Sequence, residues 1–143
     1  METLINPEAK SIDGIAVKRR LWLAAGWLLL AVVLWGILTP EPPRFISPPL
    51  PQFDKLEHFG AFLLLNSWFI AARAGRRRRW VFTAIFILLG GLIEIVQAWS
   101  GFRDGDWLDW TADCVGVLVG AWWPSRWLER IHAWFIGLSL KTE

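Results

Sequence analysis

Residues 18–38 read KRRLWLAAGWLLLAVVLWGIL. Three basic residues precede an uncharged apolar run from Leu21 to Leu38. A helix needs roughly 20 apolar residues to cross a hydrocarbon core of about 30 Å, and this run nearly reaches that length. A signal peptide would also begin with basic residues, but its charged and apolar regions are shorter and an A-x-A-like site would follow. We therefore predict a retained transmembrane helix.

The composition of the whole chain supports a membrane protein. Of its 143 residues, 55% are hydrophobic, whereas soluble domains have about 45–50%. The two excess positive charges are too few to indicate a nucleic-acid partner, and the lone Cys114 cannot form an intramolecular disulfide. Tryptophan favours the bilayer–water interface, so we expect interface positions for Trp22, Trp80, Trp99, Trp107, Trp122, Trp123 and Trp127.

Three further apolar blocks follow, at Leu56–Ala72, Trp80–Trp99 and Trp107–Trp123. The second and fourth of the four blocks are only about 25 Å long as helices, and they contain polar residues. They can cross a membrane only if those residues face the protein interior or an interface. The prediction is an all-α, four-helix transmembrane bundle.

The basic residues fix the predicted orientation. They lie before the first span, between the second and third at Arg73 and Arg76–Arg79, and after the fourth at Arg126 and Arg130. Cytoplasmic loops collect Lys and Arg, so both chain ends are predicted in the cytoplasm. The arginine run is interpreted as a topology anchor rather than a nucleic-acid patch.

The predicted domain organisation has three parts. Residues 1–20 form a flexible cytoplasmic arm, residues 21–123 the four-span domain, and residues 124–143 a cytoplasmic tail. The proline-rich outer loop Thr39–Phe53 should be extended. The tail should form an amphipathic helix on the inner membrane surface, with His132 solvated and an apolar face made by Trp127, Leu128, Ile131, Trp134, Phe135 and Leu138.

The ionisable residues of the spans are predicted to lie in the outer half of the bilayer. Asp109 and Asp113 are four apart and share a helix face, which continues to Gly116 and Gly120, where small residues let another helix approach closely. We expect one outward-opening cluster, whose ligand-binding residues are Lys55, His58, Glu94, Gln97, Arg103, Asp106, Asp109 and Asp113.

Several chemistries fit such a cluster. A histidine with carboxylates can bind a divalent cation, relay protons or act as acid and base, so His58, Glu94 and Asp113 are the catalytic candidates, while the metal ligands stay undetermined. Structural explanations also exist, since Asp109 can cap its helix and Glu94 can pair with Arg103. In the plainest alternative, the cluster only locks the four helices together.

The chain resembles the VanZ-like family, membrane proteins named after a member linked to teicoplanin resistance. The resemblance covers residues 21–123 and rests on three motifs, which are Asp54-Lys55-x-x-His58, Glu94-x-x-Gln97, and Arg103 followed by Asp106, Asp109, Asp113 and Gly116. The family usually has Asn where this chain has Asp113. The resemblance implies a multi-pass protein of the bacterial cytoplasmic (inner) membrane with a role in the cell envelope and, in some members, antibiotic resistance.

Three functions follow as hypotheses. The first is binding of a charged lipid-linked precursor or lipoglycopeptide head group, with Arg103 and His58 meeting its anionic part. The second is a membrane-embedded enzyme, metal- or acid/base-assisted, acting on an envelope lipid head group. The third is a small transporter or proton path. The bilayer is the expected partner in each case, and the oligomeric state stays open.

Overall fold

The computed structural model describes residues 7–39, 53–72, 76–101, 105–122 and 124–137. Within these ranges the chain is all-helical, as predicted, and has no strand. The helices are α1 (Pro7–Leu38), α2 (Phe53–Ala71), α3 (Arg76–Ser100), α4 (Trp107–Trp122) and α5 (Pro124–Ile136).

Two segments of the described chain are long and apolar enough to cross a membrane, Asp13–Leu38 in α1 and Arg77–Ser100 in α3. The other two predicted spans, α2 and α4, do not qualify. Helix α4 has 16 residues, or roughly 24 Å at the usual rise. Helix α2 carries three charged residues in its first turns, Asp54, Lys55 and Glu57. Length and composition therefore identify α1 and α3 alone as candidate spans.

Helix α1 begins much earlier than the predicted span. Its first residue is Pro7, and proline suits the first helical position because its fixed φ matches a helix and its missing N–H would have no partner there. Residues 7–20, which we assigned to a flexible arm, are thus part of the helix. The outer loop over residues 40–52 lies outside the described residues.

Helices α2 and α4 approach each other through glycine. A Cβ atom built on Gly116 would collide with the carbonyl oxygen of Phe59, and one on Gly120 would lie 2.6 Å from the carbonyl oxygen of Leu63. Side-chain hydrogen bonds join the same helices, since Ser67 Oγ donates to the Gly120 carbonyl at 2.9 Å. The two helices therefore meet at backbone distance.

A buried polar side chain lies at the centre of the bundle. Asn66 is fully buried, and its Nδ2 donates to the Val117 carbonyl at 2.8 Å and to Thr83 Oγ1 at 3.3 Å. It thereby links α2 to both α4 and α3. The apolar core around it is formed by Phe62, Leu65, Phe69, Phe86, Ile93 and Val117.

Helix α5 packs against the bundle on one side only. Leu128 and Phe135 contact an apolar cluster that includes Trp22, whereas Trp127 and Trp134 on the opposite side are exposed. The expected solvation of His132 is wrong, because its ring packs edge-on against Trp22 with the centroids 4.9 Å apart, and only 8% of the residue is accessible. The amphipathic tail therefore divides its apolar residues between the bundle and the surroundings.

The contacts of α5 define one end of the molecule. Arg79 Nη2 donates to Glu129 Oε1 at 3.1 Å, which ties the start of α3 to α5. The end of α2 and Trp22 lie against the same helix. The arginines at the start of α3 and the beginning of α5 therefore share one end, and the starts of α2 and α4 lie at the other.

Most of the tryptophans that we expect at the bilayer interface are exposed on the surface of the protein. Trp80, Trp99, Trp107, Trp122 and Trp127 are exposed, and Trp123 lies outside the described residues. Trp22 differs from these, because it is only 6% exposed and stacks on Trp68 of α2.

Candidate functional site

Lys55 organises the rim of a polar cluster formed by the start of α2, the end of α3 and the start of α4. Its Nζ lies 2.8 Å from Asp106 Oδ2, 3.0 Å from Asp109 Oδ1 and 3.5 Å from Asp54 Oδ2. Hydrogen bonds to Asp106 and then Asp109 raise the pKa of Lys55 above its ordinary value. An ammonium has three donors, and here all three face carboxylates, so Lys55 is engaged within the protein.

Asp106 positions two helices at once. Its Oδ1 accepts the Leu108 N–H at 2.8 Å, which is the N-cap interaction of α4. Its own backbone N–H donates to Glu94 Oε2 at 2.8 Å. The Lys55 contact, together with the Leu108 N–H, lowers the pKa of the Asp106 carboxyl below its ordinary value. The capping role that we considered for Asp109 thus belongs to Asp106.

Beneath this rim lies a buried pair. His58 Nδ1 is 3.0 Å from Asp113 Oδ1, and the two side chains are 3% and 0% exposed. The pair joins α2 to α4, two turns above the contact at Gly120. The other oxygen, Asp113 Oδ2, faces Gly90 of α3, where an added Cβ would lie only 2.8 Å away. The absence of a side chain at position 90 leaves room for that oxygen.

Glu94 completes the buried part of the cluster. One ligand atom each from His58, Glu94 and Asp113 can be chosen so that all lie within 4.8 Å of one another. Two of the carboxylate oxygens, Glu94 Oε1 and Asp113 Oδ2, are buried and have no hydrogen-bond partner among the described residues. Buried polar atoms are normally paired, so these two oxygens mark a place where a ligand or a proton is expected.

Among its described residues, the cluster carries an excess of acidic groups. Its described positive or ionisable basic groups are Lys55 and His58, and each already faces a carboxylate. The arrangement therefore favours a positively charged ligand over an anion. The acidic members are Asp54, Glu94, Asp106, Asp109 and Asp113.

Two predicted members of the cluster are not joined to it by described contacts. Gln97 is buried, and its Nε2 donates to the backbone carbonyl of Ile37 in α1 at 3.0 Å, so it ties α3 to α1. Arg103 lies outside the described residues. Gly116 and Gly120 lie on the α4 face that also bears Asp109 and Asp113, and they pack against α2.

An open groove of about 490 Å³ lies between α3 and α4, beside the cluster. Its lining is mostly apolar and includes Trp110, together with Glu94 and Asp106 of the cluster. Trp110 is held in place because its indole N–H donates to the Ile87 carbonyl at 3.1 Å. The lining residues that define this groove are Ile87, Leu88, Gly91, Leu92, Glu94, Ile95, Ala98, Gly105, Asp106, Trp107 and Trp110.

Sequence reasoning overlooked two residues that shape the site. Gly90 makes room for Asp113, and it lies four residues before Glu94, on the same helix face. A glycine pair at Gly90 and Gly91 inside an apolar helix is a signal of close packing that the sequence contained. The role of Trp110 depends on the separation of α3 and α4, which no local pattern reveals.

Comparison with known proteins found no matching protein-family model, no matching curated protein and no matching solved structure.

Proposed function

We propose that this chain is a multi-pass membrane protein in which α1 to α4 all cross the bilayer. Although its core is apolar, the protein also exposes large apolar side chains and buries several polar ones, whereas soluble proteins keep most large apolar side chains inside. Asn66, Ser67 and Asp113 are fully buried, whereas Leu88 is 73% exposed and Ile95 is 67% exposed. Bilayer lipid would cover those apolar surfaces, and the short helices α2 and α4 would carry their polar residues on protected faces.

The location proposed is the bacterial cytoplasmic membrane, with both chain ends inside. The arginine-rich end of the molecule would face the cytoplasm, and the polar cluster would face outward. Reporter fusions test this orientation. A cytoplasm-dependent fluorescent protein should be active after residue 75 and at the C-terminus, and a periplasm-dependent phosphatase should be active after residue 46. Phosphatase activity at residue 75 would overturn the orientation.

Within the membrane, we propose that the protein binds a lipid whose chain lies in the groove between α3 and α4 and whose charged head group meets the polar cluster. The observation that carries this proposal is the lining of the groove, which is mostly apolar but includes Glu94 and Asp106 of the polar cluster. Lipids likewise combine an apolar chain with a polar head group. Because the cluster is acidic, the part of the head group that it contacts would be positively charged, such as an amine.

This head-group chemistry differs from the first sequence hypothesis. There, His58 and Arg103 met an anionic group, but His58 is buried and faces Asp113. Most of the described residues that carry the resemblance to VanZ-like proteins, from Lys55 and His58 to Asp106 and Asp113, belong to the cluster, so we extend the proposal to an envelope role for a lipid-linked molecule or a lipoglycopeptide. Expression in a sensitive bacterial host should then raise the tolerated teicoplanin concentration, and a variant with a blocked groove should not.

The binding test uses a matched pair of groove variants. Ile95 lines the groove, whereas Ile85 on the same helix is similarly exposed but does not. Metal-free protein would be titrated in detergent with phosphatidylethanolamine or phosphatidic acid of identical chains, and bound lipid counted by native mass spectrometry. The proposal expects tighter binding of the amine lipid, lost in Ile95→Trp and kept in Ile85→Trp. Equal binding of the amine lipid by both variants would refute the proposal that the lipid chain lies in the groove.

A second candidate function is catalysis on such a head group. The hydrogen-bonded His58 and Asp113 lie beside Glu94, which lines the groove, and a histidine oriented by a carboxylate is a common general base. Reconstituted protein would be incubated with the two lipids and the products identified by mass spectrometry. Turnover that survives in both Glu94→Gln and Asp113→Asn would eliminate this assignment.

A further inference from the structure

We infer that His58, Glu94 and Asp113 form a binding site for one divalent transition-metal cation, of the zinc or manganese type. The site goes beyond the proposed lipid binding and does not depend on it. It is built from three different helices, α2, α3 and α4, whose ligand atoms come within 4.8 Å of one another. A cation there would be held by one imidazole nitrogen and two carboxylate oxygens.

The unpaired buried oxygens are the main support. Asp113 is fully buried, yet its Oδ2 has no hydrogen-bond partner among the described residues, and the same is true of Glu94 Oε1. Leaving ionised carboxylate oxygens buried and unpaired is costly, whereas a cation between them offsets that cost. Ordinary helix packing gives no reason for two such oxygens to be placed beside one histidine.

The surroundings separate this site from the rim. The Lys55 ammonium pairs with Asp54, Asp106 and Asp109, and no described contact joins it to Glu94 or Asp113. The positive charge of Lys55 therefore does not satisfy the buried carboxylates. Their only described basic neighbour is His58, which contacts Asp113 through a single nitrogen.

The ligand types select the class of metal. Imidazole suits zinc, and carboxylate oxygens suit manganese, whereas calcium and magnesium prefer sites made entirely of oxygen ligands. Three protein ligands also leave at least one coordination position open, as in catalytic zinc sites. Because Glu94 lines the groove as well, that open position would be reached from the groove.

Direct metal binding tests the inference without any lipid. Full-length protein in detergent would be stripped with a chelator, dialysed, and titrated with ZnCl₂, MnCl₂ or MgCl₂, with bound metal measured by mass spectrometry and calorimetry. The expected result is one equivalent of zinc or manganese, with magnesium bound more weakly. Substitution of a residue that supports a metal ligand typically weakens binding about 10- to 100-fold, so His58→Gln, Glu94→Gln and Asp113→Asn should each weaken it at least about tenfold.

Glu129→Gln is the control, because it removes a carboxylate that pairs with Arg79 at the opposite end of the molecule and leaves the three ligands unchanged. It should bind zinc like the wild type. If a ligand variant fails to fold, X-ray absorption spectroscopy of the zinc-loaded wild type replaces it and should show one imidazole among oxygen ligands. Absence of zinc and manganese binding in folded wild type, a spectrum without imidazole, or unchanged binding in all three folded ligand variants would overturn the site.

The lipid titration keeps the two proposals distinguishable. If metal binds but no lipid does, the cation site stands and the groove proposal fails. If the amine lipid binds to metal-free protein and no metal binds, the reverse holds. Zinc-dependent binding of phosphatidic acid, lost in Glu94→Gln, would show that the cation faces the groove.

Discussion

Trp22 and Trp68 each donate their indole N–H to the backbone carbonyl of the other, at 3.3 and 3.0 Å. Their rings stack with centroids 4.2 Å apart and planes inclined by 13°. Gly26 allows this approach, because an added Cβ there would lie 2.7 Å from Trp68 Cδ1. The reciprocal pair fastens α1, which makes few other polar contacts, to α2.

Replacing Trp68 with Phe should therefore destabilise the protein. The change removes one hydrogen bond and part of the stacked surface, so we expect a loss of about 1–2 kcal/mol in the free energy of unfolding. Denaturation in mixed micelles, followed by circular dichroism, measures it. The control is Trp35→Phe on α1, where the side chain is 62% exposed and the change should stay within about 0.5 kcal/mol. Equal losses would argue against the pair as an anchor.

Gly116→Ala should separate α2 from α4. The new methyl group would overlap the Phe59 carbonyl, and overpacking of this kind costs about 1–3 kcal/mol. Gly60→Ala is the matched control, since nothing lies within 4 Å of a Cβ at that position. Alanine is better than glycine inside a helix by roughly 0.5–1 kcal/mol, so the control should be neutral or slightly stabilising in the same denaturation assay. A neutral Gly116→Ala would contradict the close approach.

The His58 and Asp113 pair should show energetic coupling. We expect the double variant His58→Ala/Asp113→Ala to be less destabilised than the sum of the single variants, by about 0.5–3 kcal/mol. Each single change leaves a buried partner unsatisfied, and the double change does not. A sum that is strictly additive would mean that the observed 3.0 Å contact contributes nothing. If the cluster only locks the helices, these variants lose stability while lipid and metal binding are unaffected.

Because of His132, the free energy of unfolding should decrease as the pH is lowered from neutral to mildly acidic. Burial, and then the nearby positive charge of Arg19, lower its pKa below the ordinary 6.5. Above that value both the folded and unfolded states hold neutral histidine. Below it the unfolded state takes up a proton that the folded state resists, so the free energy of unfolding decreases until the lower folded pKa is passed.

His132→Phe provides the test of this pH dependence. The variant keeps an aromatic ring against Trp22 and removes the titrating group. Its melting temperature should change less than that of the wild type between pH 7.5 and pH 5. A wild type whose melting temperature is unchanged over that range, or a variant with the same pH dependence, would contradict the assignment.

Much of the site follows from the sequence because helical phase and depth are local properties. The i, i+4 spacing of Asp109 and Asp113 placed both on one face, and Gly116 and Gly120 extended it. His58 lies near the start of α2, at the same predicted depth in the bilayer as Asp109 and Asp113, so it was expected beside that face of α4. These positions need only the helical repeat and the order of the helices, and the structure brings the three polar residues together.

Other features depend on how the helices rotate against one another. Gln97 lies one turn from Glu94, yet its side chain contacts α1 and not the cluster. The sequence of α3 could not predict this contact, because it does not determine where α1 packs. Trp22 and His132 resemble surface residues in sequence, and only the packing of α5 across α1 buries them. The engagement of Lys55 by Asp106 and Asp109 depends on contacts across more than fifty residues of sequence.

The hydrogen bonds of α2 also have a consequence for how the chain is made. Its buried polar side chains Asn66 and His58 find their α4 partners 51 and 55 residues later in the sequence. During synthesis those partners do not yet exist when α2 leaves the ribosome. In a bilayer, where unpaired polar groups are unfavourable, α2 would have to wait beside the insertion machinery until α4 arrives, so that the two helices enter the hydrocarbon together.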